Sequence, residues 1–153
     1  MTKNKTPQEI IESEANELIT KMGLDAQVTV VPSDENFIVK ITTPDTGLLI
    51  GYHGEVINSL QLILGVLVYR KLKEWVRIIV DVGDYREKRE ETLKRLAQEK
   101  AEEALSTGQP VSLPYLSPLE RRIVHMALAE NSQVSSVSEG EGKDRHIVIK
   151  PQK

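Results

Sequence analysis

The chain has 153 residues, and 39% of them are hydrophobic, which supplies a real core and excludes a disordered chain. It has no cysteine, which excludes a disulfide framework and any Cys-based metal or redox site. The formal net charge of -3 excludes a general polyanion sponge, so any nucleic-acid binding must rest on local geometry.

Thr6 can cap a helix with Pro7 at its first position, and Glu9 completes a Thr-x-x-Glu capping box, so a helix is predicted over residues 7–22. Ile10, Ile11, Leu18, Ile19 and Met22 form its expected apolar face, and Gly23 ends it. Residues 27–31 are rich in Val and Thr and suit a strand. Residues 32–36, beginning with Pro32, read as a turn, and residues 37–43 alternate apolar and polar as the second strand of a hairpin. Pro44 breaks that strand, and Asp45 can cap a short helix through Ile50. A turn at residues 51–54 precedes a helix over about residues 55–72, and residues 75–82 make a third strand. The predicted order is α-β-β-α-α-β.

Gly83 and Asp84 mark a boundary between two modules, residues 1–83 and 84–153. The second opens with a long helix over residues 85–105, with Leu93, Leu96, Ala97, Ala101 and Ala104 on its inner face. Its outer face interleaves acids and bases, with Asp84/Lys88, Glu90/Lys94 and Glu91/Arg95 as favourable i,i+4 pairs. Residues 111–113 make a short strand. Ser117, Pro118 and Glu120 repeat the capping signal and start a helix to about Asn131. Residues 134–138 and 146–149 are two further strands, which gives α-β-α-β-β. The fold class is therefore α+β, in two small modules.

The turn Gly51-Tyr52-His53-Gly54 carries the most information. Val56, Ile57, Leu60, Ile63, Leu64, Leu67 and Val68 recur after it every three or four residues, as the buried stripe of a helix. A Gly-x-x-Gly turn that opens a helix lets backbone N–H groups approach a phosphate, because no Cβ blocks the way and the helix N-terminus favours the anion. Any tight turn can use two glycines, so the motif alone says little. With its flanking elements, residues 7–82 resemble a type II KH domain. The resemblance implies single-stranded RNA, with single-stranded DNA the alternative, in a groove between the loop, the flanking helices and the adjacent strand. Many KH loops carry Lys or Arg between the glycines. This one carries Tyr52 and His53, so a permanent cation is missing.

In the second module, Arg121 and His125 stand four apart on one helix face. A glycine-containing hairpin, Glu139 to Arg145, and a terminal hydrophobic strand follow. This pattern resembles the R-three-H domain, a family associated with single-stranded nucleic acids. The resemblance implies that Arg121 and His125 form a phosphate-facing surface with Lys143 and Arg145. The bland reading of the pair is a surface arginine beside a half-buried structural histidine.

KH followed by R-three-H is similar to the Jag/KhpB family, or SpoIIIJ-associated proteins, of bacteria, from about residue 7 to residue 151. Many members have a further N-terminal domain, whose function is not carried over to this chain. The family implies an RNA-binding regulator or RNA chaperone, links to cell elongation, division or sporulation, and pairing as a homodimer or with a small KH-domain protein. The alternative is a protein–protein scaffold associated with membrane-protein insertion or the cell envelope. No Walker motif, metal-ligand spacing or Cys nucleophile suggests an enzyme or a cofactor. The polar stretch Met1 to Lys5 does not resemble a secretion signal, and no run approaches the roughly 18 apolar residues of a membrane span. A cytoplasmic protein without membrane insertion is expected. With one Phe and one Trp, broad aromatic stacking platforms are not expected.

Overall fold

The structure, a computed structural model, describes residues 4–153; the polar residues Met1 to Lys3 fall outside the described residues. It divides into two compact units that meet in sequence between Arg86 and Glu87, within the first turn of a helix.

The first unit runs α1 (Pro7–Lys21), β1 (Gln27–Ser33), β2 (Asn36–Thr42), α2 (Thr46–Ile50), a 3-10 turn (Tyr52–Gly54), α3 (Glu55–Leu72) and β3 (Arg77–Val82). This is the predicted α-β-β-α-α-β order. The Thr6/Glu9 capping box forms with both of its hydrogen bonds, so two helix-end donors are satisfied reciprocally. The hairpin is tighter than its sequence suggests. Ser33 pairs with Asn36, which leaves only Asp34 and Glu35 as the turn, and Asp34 takes φ 45°. Pro32 lies within β1, paired with Phe37. It is tolerated because β1 is an edge strand, where a missing N–H is not needed. Asp45 occupies the cap position of α2 but makes no capping bond; Thr43 fills the local role, its hydroxyl accepting from the Asp45 N–H.

The sheet order is β1-β2-β3, with β1 and β2 antiparallel and β2 and β3 parallel. A parallel pair needs a crossover, and α2, the glycine turn and α3 supply it. The candidate loop thus sits in the one connection that the sheet topology forces over its face. Ile11 and Ile19, Val39 and Ile41, Ile57 and Leu64, Val80 and Val82 fill the core beneath it. Each fully buried aliphatic side chain contributes roughly 1.5–3 kcal/mol. The buried stripe of α3 is Ile57, Leu60, Leu64 and Val68; Ile63, expected to join it, is 48% exposed. Met22 of the predicted α1 face is likewise exposed.

The second unit contains most of α4 (Tyr85–Thr107), then β4 (Val111–Ser112), α5 (Pro118–Leu128), β5 (Val134–Glu139), a 3-10 turn (Gly142–Asp144) and β6 (His146–Pro151). Its sheet order is β4-β6-β5, antiparallel throughout. Leu93, Ala97, Ala101 and Ala104 of α4 pack with Val124, Leu128, Ile147 and Ile149. Glu120, the single buried charged residue among those described, joins two tasks. One oxygen accepts from the Ser117 N–H at 2.9 Å to close the second capping box, and the other accepts from Arg89 Nε at 2.8 Å, tying α5 to α4. On the outer face of α4 the Glu90–Lys94 pair forms, but Arg95 turns to Glu99 instead of Glu91.

Candidate nucleic-acid interface

The Gly51–Gly54 loop is built on positive-φ backbone, most restrictive at Gly51. Gly51 has φ 70° and ψ -172°, and a Cβ there would lie 2.9 Å from Val56 Cβ and 3.0 Å from Val56 N. That combination is open essentially to glycine alone. His53 and Gly54 are also left-handed, at φ 50° and 83°. Gly54 is buried, and a Cβ there would lie 3.1 Å from the Tyr85 ring. Leu49, fully buried, anchors the loop from α2.

Tyr52 points outward, while His53 is half-buried. Tyr52 is 71% exposed, and its ring stacks on His53 with centroids 4.0 Å apart. His53 Nδ1 is buried without a hydrogen-bond partner among the described residues. At the start of α3 the Glu55 N–H bonds back to the Tyr52 carbonyl, and the next helix-end N–H groups lack an acceptor earlier in α3. This is a surface suited to an anion held by backbone rather than by a cation.

A groove runs from this end between α3 and the edge strand β3, walled by Asn58, Leu62, Gly65, Trp75 and Arg77. The β3 edge is closed at Val80. Gln61 Oε1 accepts from the Val80 N–H and from Arg86 Nη2, each at 2.9 Å, while Arg86 Nε donates to the Val80 carbonyl at 2.8 Å. The two Gln61 bonds join residues 19 and 25 positions apart, so no local pattern announces them.

In the second unit, Arg121, His125 and Arg145 come together. Both His125 ring nitrogens bond to β5, Nδ1 to Ser136 Oγ at 2.8 Å and Nε2 to Ser138 Oγ at 3.0 Å. Burial, then the Arg121 and Arg145 guanidinium charges, hold the ring below its ordinary pKa of 6.5. The histidine therefore pins helix to strand in its neutral form. Arg121 Nη1 donates to the Leu116 carbonyl at 2.8 Å, which fixes the arm of the guanidinium. Lys143 is exposed on the 3-10 turn, and among the described residues no hydrogen bond or ion pair ties it to this cluster. The Ser136 and Ser138 partners lacked any sequence signal beyond alternation along β5.

No group of three or more metal-ligating side chains occurs among the described residues, and no helix among them is long and apolar enough to cross a membrane. Fold and loop together define a protein with a KH module followed by an R-three-H module. Residues 8–81 match the family model described as the KH domain of KhpA/KhpB, and residues 91–151 match that of the R-three-H domain. The chain thus carries a KH domain of the KhpA/KhpB type followed by an R-three-H domain. It is 36% identical over 132 residues to the RNA-binding protein KhpB of Lactiplantibacillus plantarum, covering 86% of this chain and 41% of that protein. It is 35% identical to the proteins of the same name from Clostridium symbiosum, covering 84% of this chain and 58% of that protein, and Bacillus subtilis, covering 81% and 61%. The chain thus spans between 41% and 61% of the length of these relatives.

Proposed function

We propose that the chain binds single-stranded RNA and acts as a post-transcriptional regulator or RNA chaperone. The observation that supports this reading is the Gly51–Gly54 loop, a glycine turn with positive φ at Gly51, His53 and Gly54 that opens directly into α3, a setting that suits a phosphate at a helix N-terminus. Gly51, Tyr52, His53 and Gly54 form the clamp. Arg121, Lys143 and Arg145 add phosphate contacts from the second unit, and His125 holds the helix that presents Arg121. The relatives named RNA-binding protein support the choice of RNA.

Without a cation in the loop, a lone chain binds a short RNA in the micromolar range, about 8 kcal/mol. Pairing of two KH modules puts two clamps on one strand and raises avidity. Ile63 and Val66 are exposed on α3, away from the residues that wall the groove, and offer an apolar surface for such pairing. The test is a titration of end-labelled single-stranded RNA by anisotropy, with polyphosphate as competitor. Binding that polyphosphate displaces supports the reading. If RNA does not bind, the scaffold alternative takes its place.

A further inference from the structure

The turn between α3 and β3 carries groups that neither the core nor the glycine loop uses. The rings of Tyr69 and Trp75 stack with centroids 4.5 Å apart and planes 15° from parallel. Trp75 is 67% exposed and, like Tyr69, belongs to no buried cluster. The stack is held open by design of the backbone. Lys73 takes φ 63° and its N–H closes α3 onto the Tyr69 carbonyl, so the chain turns back and brings Trp75 over Tyr69.

Arg77 walls the same groove as Trp75, whereas Arg70, Lys71 and Lys73 line a separate pocket with Glu14 and Glu17 of α1. Within residues 69–77, Arg70, Lys71, Lys73 and Arg77 outnumber the one acid, Glu74, in a chain whose net charge is -3. Lys71 pairs with Glu14 at 3.6 Å. Arg70, Lys73 and Arg77 are exposed and have no ion partner among the described residues. Trp75 and Arg77 also wall the groove that begins at Asn58, near the glycine loop. From Glu55 to Tyr69, α3 covers about 21 Å.

We propose that the Tyr69–Trp75 stack is a base-stacking platform for single-stranded RNA. A base beyond the roughly four nucleotides held at the glycine loop stacks on Trp75, while Arg77, on the same groove, takes the adjoining phosphate. This rests on the reading of Gly51–Gly54 as the phosphate clamp. Charge favours RNA over a second copy of the chain as the occupant. Two copies meeting at this turn would bring like cations together, whereas a phosphate strand neutralises them.

Trp75 is the only tryptophan, so its emission reports on this site alone. The full chain is titrated with an end-labelled ten-residue oligoadenylate while label anisotropy and tryptophan emission are both recorded. Binding should quench the emission by about half. Trp75→Ala should weaken binding at least about fivefold and Trp75→Phe by no more than about twofold, with far-UV circular dichroism unchanged in both. Label anisotropy that saturates without quenching, with Trp75→Ala binding like the parent, overturns the platform and leaves the loop clamp standing. A concentration-dependent blue shift without RNA assigns the stack to a second copy and also overturns it. No RNA binding at all removes both the platform and the clamp.

Discussion

Arg121 and His125 sit one helical turn apart on α5, and the Arg121 charge helps to keep the His125 ring neutral. The two side chains are held differently. The histidine bonds inward to Ser136 and Ser138, and the arginine is braced by the Leu116 carbonyl.

Substitution should separate the two roles. Arg121→Ala is expected to weaken binding about equally across RNA sequences and to reduce the salt slope by about one, because phosphate contacts carry little base information. Lys143→Ala should do the same without loss of stability, since its side chain is exposed. His125→Ala should lower stability by about 1–3 kcal/mol, because two serine hydroxyls lose their partner. Salt-dependent anisotropy and denaturant unfolding measure the three variants. An Arg121→Ala protein with the parent salt slope would assign the second unit a structural or protein-binding role.

The His125 ring should titrate below 6.5 when followed by its imidazole resonances, and Arg121→Ala should move the midpoint upward. Serine hydroxyls can donate or accept, so they satisfy either form of the ring; burial and the two guanidinium groups disfavour the cation. The sign for stability follows. The unfolded chain takes up this proton at a pH where the folded chain does not. The His125 contribution is thus intact above about pH 6.5 and declines as the pH falls below it, until the folded ring also protonates. A midpoint at or above 6.5 would contradict the pinned neutral ring.

Gly51→Ala should destabilise the first unit by about 1–3 kcal/mol and weaken RNA binding with it. Its backbone angles exclude a side chain, and the new Cβ would overlap Val56. Gly65→Ala is the matched control: α3 holds it in open space, so Ala should be neutral or mildly stabilising there. Thermal unfolding of the two variants checks the contrast, and equal midpoints would count against a constrained loop.

Both capping boxes, the element order and the glycine loop were legible because each is written in neighbouring residues. Thr6 and Glu9, or Ser117 and Glu120, carry their own signal. Pro32 misleads, because its meaning depends on whether β1 is an edge strand, a tertiary fact. Ile63 fits the helical stripe of α3 yet faces outward, since the stripe is narrower than the apolar content of the helix. The closure of the β3 edge by Gln61 and Arg86 and the serine partners of His125 join distant residues, so periodicity does not reveal them. The Tyr69–Trp75 stack was hidden because Trp75 reads as the start of a strand, whereas β3 begins at Arg77.

The central claim, that the Gly51–Gly54 loop holds the phosphates of single-stranded RNA, is tested most directly by the double substitution Tyr52→Asp and His53→Asp. Both side chains border the proposed phosphate path, Tyr52 is exposed, and aspartate tolerates the left-handed backbone at residue 53. Anisotropy with labelled single-stranded RNA should show at least tenfold weaker binding, about 1.4 kcal/mol, from repulsion between the new carboxylates and the phosphates. Circular dichroism should match the parent. A folded double variant with the parent affinity would contradict the loop as the binding site.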